Sequence, residues 1–474
     1  MANSQVQPRD DWEVMYIGEA KIGFSHTTVT IAGEGAAQTV KTTSDNEMTF
    51  NRFGQTVTMT IQIASEEKPD GTPLSFSAIQ QVGPSESVST GTWTANSVTI
   101  EARTLDKKES KTIAWRPELG GVFAKDQSLQ RKPLQPGEQR TLTALFPVMN
   151  KLGEIRFKAQ DYETTKLLSG EASLLKVDCT EILGTERIGS TLWVDKNGEV
   201  QKQYLPQLKQ TSYRTTREIA TGKSNGPKFD LGDTTIVKIK KGIARPHQTQ
   251  QIIYKATLPA GEIAEAFVSG PSQSLKLLDK HTAELTVRAI RPHEPKELAE
   301  KDSPPTDDDR EPNNLVQCDD KLVVEMANSV VPGEKDPWKV AVALERYVRG
   351  IIKTKNFSQA FASAAEVAKN KEGDCTEHAV LLAALCRARG IPARGAMGLV
   401  YYAPSGGFAY HMWTEVWIDD RWIPLDATLA QGGIGAAHLK IAQSNLKGAD
   451  ALSAFLPVFR VLGQLELEVI ATKP

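Results

Sequence analysis

Cysteine is scarce in this chain, with four in 474 residues. Cys179, Cys318, Cys375 and Cys386 are widely scattered and form no metal-ligand spacing, which excludes a zinc framework and a dense disulfide scaffold. Cys375 and Cys386 fall on one predicted helix about 16 Å apart along its axis, too far to bridge. Nothing supports a Cys179–Cys318 pair. No apolar run approaches transmembrane length, so an integral membrane helix is not expected. Charge of one sign is also missing. The net charge is −2 and no long basic or acidic block occurs, so there is no footprint for nucleic acid or an anionic membrane surface. The first residues, Met1-Ala2-Asn3-Ser4-Gln5, lack the basic and apolar regions of a signal peptide. They suit a native cytosolic start or a trimmed leader equally. His26, His247, His281 and His293 stand apart from plausible partners, and Asp307–Asp309 lacks the alternating ligands of a calcium loop. No cofactor and no metal site is expected, and a metal enzyme is set aside for want of a ligand cluster.

What is present argues for several domains, because 474 residues exceed what one core organises. From Trp12 to about Ala220 the chain is rich in Thr, Val and Ser with period-2 alternation, as in Lys21–Thr30 and Thr56–Ile63. That pattern predicts half-buried antiparallel strands in a meander. Asp70-Gly71 and Asp195-Lys196-Asn197-Gly198 mark hairpin turns. The first domain is assigned to residues 1–221. A small β domain follows over 222–292, with strands around Thr235–Ile239, Gln251–Lys255 and Ala283–Arg288. Residues 293–312 are acidic and contain prolines, which reads as a solvated linker. Residues 313–474 form the last domain. There Asp336-Pro337 opens a helix to about Ile351, Ser363 opens a short one, and strands follow from Ala396 onward. The whole is an α+β multidomain chain, a large antiparallel β region followed by an α+β core.

The chemistry concentrates around Gly373-Asp374-Cys375-Thr376-Glu377-His378. Asp374 is a good N-cap, Glu377 completes a capping box, and the apolar run from Ala379 ends at Gly390. Cys375 therefore sits on the first turn of a buried helix, where the dipole and unpaired N–H groups favour a thiolate. Downstream, His411 opens one strand and Asp426 ends the next, with Asp419-Asp420 between them. A loop of two or four residues sets His411 opposite Thr428 and Trp413 opposite Asp426, so His411 and Asp426 become diagonal neighbours on one face. A three-residue loop would put Asp426 on the other face. Cys, His and Asp together are the parts of a nucleophilic thiol enzyme: Cys375 attacks a carbonyl, His411 carries the proton, and Asp426 orients the imidazole. The Cys375 backbone N–H is an oxyanion donor, and Gln359 or a nearby amide is nominated as the second. His378 is an alternative base, although a structural hydrogen bond is favoured. Glu415 tunes His411 or pairs with Arg394 or Arg421. Trp413, Trp417 and Trp422 are cleft candidates, with two of the three expected in the core.

The blocks Gly373–Ala379, Arg389–Arg394, His411–Val416 and Trp422–Thr428, in this order, resemble the transglutaminase-like core domain of many prokaryotic proteins. The likeness spans roughly residues 313 to 450. It implies a papain-like core with Cys375, His411 and Asp426 as its triad and a protein or peptide as substrate. The resemblance fixes no upstream Trp or Gln as oxyanion donor. The β-rich half resembles, more loosely, the extra domain that precedes this core in envelope-associated bacterial proteins. That likeness favours an extracytoplasmic site with the leader absent over a cytoplasmic one. Hydrolysis of amide bonds through a thioester is favoured over amine cross-linking, because nothing marks an amine site. The alternative is a catalytically silent scaffold that binds a protein or envelope polymer through its β-rich half.

Overall fold

The computed structural model describes residues 6–82, 85–104, 107–184, 186–224, 226–259, 261–292, 302–357, 362–447 and 456–474. The chain forms two compact units, Met1–Asp230 and Leu231–Pro474. Among the described residues, no helix is long and apolar enough to cross a membrane.

The first unit is one antiparallel meander of fourteen strands in which the first, Arg9–Ile17, pairs with the last, Gln210–Thr215. Alternating Thr/Val sequences produce the expected half-buried strands, and the hairpin turns at Gly71 and Gly198 take positive φ of 92° and 81°. The sheet curls so that side chains from near its two edges share a core. Leu145, on the edge strand Gln139–Phe146, packs with Phe76, Val98 and Ile100 from near the opposite edge. The helix Ala124–Arg131 adds Ala124 and Leu129 to a second core with Phe157, Leu175 and Leu192.

The second unit contains two sheets. One runs Val237–Lys238, Gly407–Ile418, Ala393–Tyr402, His438–Ser444, with Arg421–Leu425 also paired to Gly407–Ile418. The other runs Gln273–Leu277, Thr282–Arg288, Gln251–Thr257, Glu466–Lys473. The strands expected to make a separate domain over 222–292 are thus divided. Val237–Lys238 joins the first sheet, and the rest form the other sheet, in which Gln251–Thr257 pairs with the C-terminal strand. The physical reason lies in shared polar contacts. Gln273 exchanges hydrogen bonds with the Lys440 backbone, and buried Tyr254 donates to the Ala436 carbonyl.

The supposed linker also differs from expectation where it is described. Asp302 accepts from the Trp422 amide, the Trp422 indole donates to the Ser303 carbonyl, and Thr306 and Asp309 form a capping box. These contacts hold residues 302–309 against the folded unit, and residues 293–301 lie outside the described ones. Helices Lys321–Ser329, Pro337–Ile351, Ala364–Asn370 and Cys375–Ala388 cover the first sheet's unit, the last of them buried nearly throughout. Thr414 donates to the Ala379 carbonyl and ties that helix to the sheet.

Candidate active site

Local sequence sets the thiol. Asp374 accepts from the Thr376 amide, and Glu377 reaches back to the Asp374 amide at 2.9 Å, so the predicted capping box is present. Gly373 is required twice over, by its φ of 145° and because a Cβ there would lie 2.4 Å from the Glu377 Cβ. Burial pushes the Glu377 carboxyl well up, with neighbouring Asp374 adding to it. Cys375 is the first helical residue and is partly exposed, while Cys179, Cys318 and Cys386 are buried. Burial also pushes the Cys386 thiol up.

The candidate imidazole and carboxylate come from a two-residue hairpin. Asp419 and Asp420 take φ of 51° and 59°, the type I′ geometry that matches strand twist. Ile418 pairs with Arg421 and Thr414 with Leu425, so the next positions in register are Trp413 with Asp426 and His411 with Thr428. His411 Nε2 and Asp426 Oδ2 are 2.8 Å apart, both buried. Thr428 approaches the same Nε2 at 3.2 Å. Burial opposes protonation of His411. The Asp426 charge and hydrogen bond, joined by the Cys375 side chain, override it and push the ring up to about 10. Asp426 is likewise raised by burial but held well below the usual carboxylate range by His411 and His438.

Two residues of this site escaped the sequence reading. His438, fully buried, places Nε2 3.2 Å from the same Asp426 Oδ2. Glu345, also fully buried, accepts from the Asp426 amide at 3.1 Å and from the Gly432 amide at 2.8 Å. Burial pushes Glu345 up to about 7 against those hydrogen bonds. Signals for both existed. His438 and Lys440 alternate with Leu439 and Ile441, a strand pattern, and Glu345 lies four residues after Ala341 and three before Val348 on the buried stripe.

The remaining candidates divide. His378 donates from Nδ1 to the Asp374 carbonyl at 2.6 Å, a bond within its own helix. Trp413 is buried with its ring 6.4 Å from that of His411, Trp422 is buried beneath Arg394, and Trp417 is half-buried. Glu415 pairs with Arg394 at 2.8 Å and Lys440 at 2.7 Å. Gln359 lies outside the described residues. His247, read as isolated, packs edge-on against His438 with centroids 5.8 Å apart. The expected lack of a ligand cluster is corrected as well. Folding brings ligand atoms of His411, Asp426 and His438 within 4.8 Å of one another. Residue spacing hid this because His438 arrives on a different strand.

Residues 324–427 match the model of the transglutaminase-like superfamily. That part of the chain is a transglutaminase-like core, and the match supports thiol-dependent activity on amide bonds in general. No curated protein matches the chain. Among solved structures, a putative cysteine protease from Cytophaga hutchinsonii is similar at 17% identity, over 46% of this chain and 83% of its own, with a TM-score of 0.31. A β-barrel-like protein of a domain of unknown function from Brucella abortus is similar at 9% identity, over 44% and 96%, with a TM-score of 0.33. The periplasmic domain of TgpA from Pseudomonas aeruginosa, bound to ethylmercury, is similar at 12% identity, over 39% and 91%, with a TM-score of 0.25.

Proposed function

We propose, from the premise of a transglutaminase-like core, that this protein is a cysteine enzyme that cleaves amide bonds of a protein or peptide through a thioester on Cys375. The observation that carries the reading is a buried imidazole held by a buried carboxylate at 2.8 Å, with the partly exposed Cys375 side chain adding to the rise in its pKa. In this reading His411 Nδ1 takes the thiol proton and Cys375 Sγ adds to the substrate carbonyl carbon. The oxyanion is stabilised by the Cys375 backbone N–H at the helix N-terminus. His411 returns the proton to the leaving amine, whose C–N bond breaks to leave the thioester. Water, deprotonated by His411, then releases the acid and frees the thiol. Asp426 keeps the ring in one orientation and stabilises its charged form. Hydrolysis is preferred to amine transfer because, among the described residues, no feature of the site marks an amine-binding position.

The test is the rate at which iodoacetamide alkylates Cys375 below pH 7. Selectivity among the four cysteines is uninformative, since the other three are buried. The comparator is a thiol in the denatured chain. Cys375 is expected to react faster than that thiol, and His411→Ala to remove the difference. Equal rates in the native protein reject the enzyme reading in favour of a scaffold. Peptide mixtures analysed by mass spectrometry with and without Cys375→Ala, in the presence of a primary amine, then separate hydrolysis from transfer.

A further inference from the structure

His438 does nothing in the thiol chemistry proposed above. It carries no proton to or from the sulfur, yet it is completely buried and its Nε2 converges on the oxygen that also binds His411. Its strand is brought in by a close approach. A Cβ on Gly398, the residue opposite His411, would lie 1.9 Å from the Leu439 carbonyl oxygen. Two imidazole nitrogens lie 2.8 Å and 3.2 Å from one carboxylate oxygen, lengths that the edges of a coordination polyhedron also have. With metal–ligand bonds of about 2.1 Å, those edges subtend about 85° and about 100° at a shared ion. Thr428 Oγ1 stands 3.2 Å from His411 Nε2 and offers a further oxygen. The cluster is not sealed, since His411 keeps 8% exposure and Thr428 is half-buried.

We propose that His411 Nε2, Asp426 Oδ2 and His438 Nε2 form a site for a divalent ion of the zinc class, which reversibly switches off the thiol. Two imidazoles and one carboxylate suit such an ion. Binding takes the Nε2 lone pair of both rings, so the single N–H left on each sits at Nδ1. His438 moves its proton from Nε2 to Nδ1, a neutral His411 does the same, and a doubly protonated His411 gives up its Nε2 proton, which returns to the Cys375 thiolate. His411 then faces Cys375 with a fixed donor and accepts no proton from it. Asp426 is withdrawn from orienting the ring at the same time. The geometry of the site is independent of the proposed thiol chemistry, but its consequence, inhibition, rests on that reading.

The experiment uses the full chain freed of metal by chelation. Co2+ is titrated in and its visible absorption recorded, and in parallel Zn2+ is added to the Cys375 alkylation assay. One equivalent of Co2+ is expected, with a spectrum of nitrogen and oxygen ligands and no thiolate charge-transfer band. Zn2+ is expected to slow alkylation and EDTA to restore it. In His438→Gln both effects should need at least about tenfold more metal, each protein being compared with its own metal-free rate. If that variant does not fold, the 15N signals of the wild-type histidines serve instead, and His438 and His411 Nε2 must both shift on adding Zn2+. A thiolate band, an unchanged metal requirement in His438→Gln, or unmoved Nε2 signals would overturn the site. Failure of the thiol reading looks different. Metal-free Cys375 would then react no faster than a denatured thiol, while the Co2+ spectrum still reports on the site.

Discussion

The strand Ala20–Ala32 of the N-terminal sheet is half-buried along most of its length, whereas Gly407–Ile418 of the second unit is buried at all but two of its twelve positions. A polar side chain on the first kind of strand reaches water and costs little. On the second kind it must find a partner inside the protein. His411, Thr414 and Glu415 each do so, through Asp426, the Ala379 carbonyl, and Arg394 with Lys440. The ion pairs show the same contrast. Lys125 and Glu181 keep 21% exposure each, while Lys440 and Glu415 keep 10% and 2%. A polar residue therefore says more about function or architecture where its strand is closed to solvent.

The sharpest way to break this contrast is at the carboxylate of the candidate triad. Asp426→Asn is expected to lower peptide turnover by about 10²–10⁴-fold at equal folded protein, and unchanged turnover would sever Asp426 from the chemistry. Next comes stability. Glu415→Ala strands two buried cations and is expected to cost about 3–5 kcal/mol, whereas Glu181→Ala in the partly exposed pair is expected to cost less, about 1 kcal/mol. Urea unfolding of the two variants measures the gap, and similar losses would erase the distinction between the units. Gly398→Ala forces a Cβ against the Leu439 carbonyl and is expected to cost about 1–3 kcal/mol. It should also weaken Co2+ binding, because the displaced strand carries His438.

The smallest effect is in pH dependence, where neighbouring histidines act in opposite senses. Burial lowers His247 from 6.5 to about 4, and lowers His378 and His438 too. The unfolded chain takes up these protons first, so their contribution to stability is whole above about pH 6.5 and falls as the pH drops towards 4. His411 is raised, so its contribution is whole below 6.5 and is lost as the pH climbs through about 10. Between pH 4 and 7 these histidines make the unfolding free energy rise with pH, while Glu345 and Glu377, raised by burial, make it fall. The test is therefore differential: His247→Asn should give a less positive slope than the wild type. A slope unaltered by the substitution would mean that His247 is protonated equally in both states.

Much of the fold and of the candidate triad's placement is legible in the sequence because it depends on neighbours along the chain. The alternation of Thr and Val in the first 220 residues gives the meander, and Asp374 with Glu377 gives the helix start. The Asp419-Asp420 turn fixes the register that sets His411 diagonal to Asp426. Three features resisted. The Glu466–Lys473 strand pairs with Gln251–Thr257, more than two hundred residues earlier, and no local pattern names that partner. Glu345 reads as the polar flank of an amphipathic helix until the Asp426 and Gly432 amides are seen to converge on it. His438 looks like one more solitary histidine.

The sequence by itself determined where the thiol, the imidazole and the carboxylate stand within their own helix and hairpin. Capping bonds and turn dihedrals act over two to four residues, and the side chains that make them are adjacent in the chain. Only the tertiary structure decided that a second imidazole and a buried glutamate close around the same carboxylate. That convergence depends on which strand edges and faces exclude water together. Such exclusion is set by the packing of the whole unit, with Gly398 leaving the space through which one strand can approach.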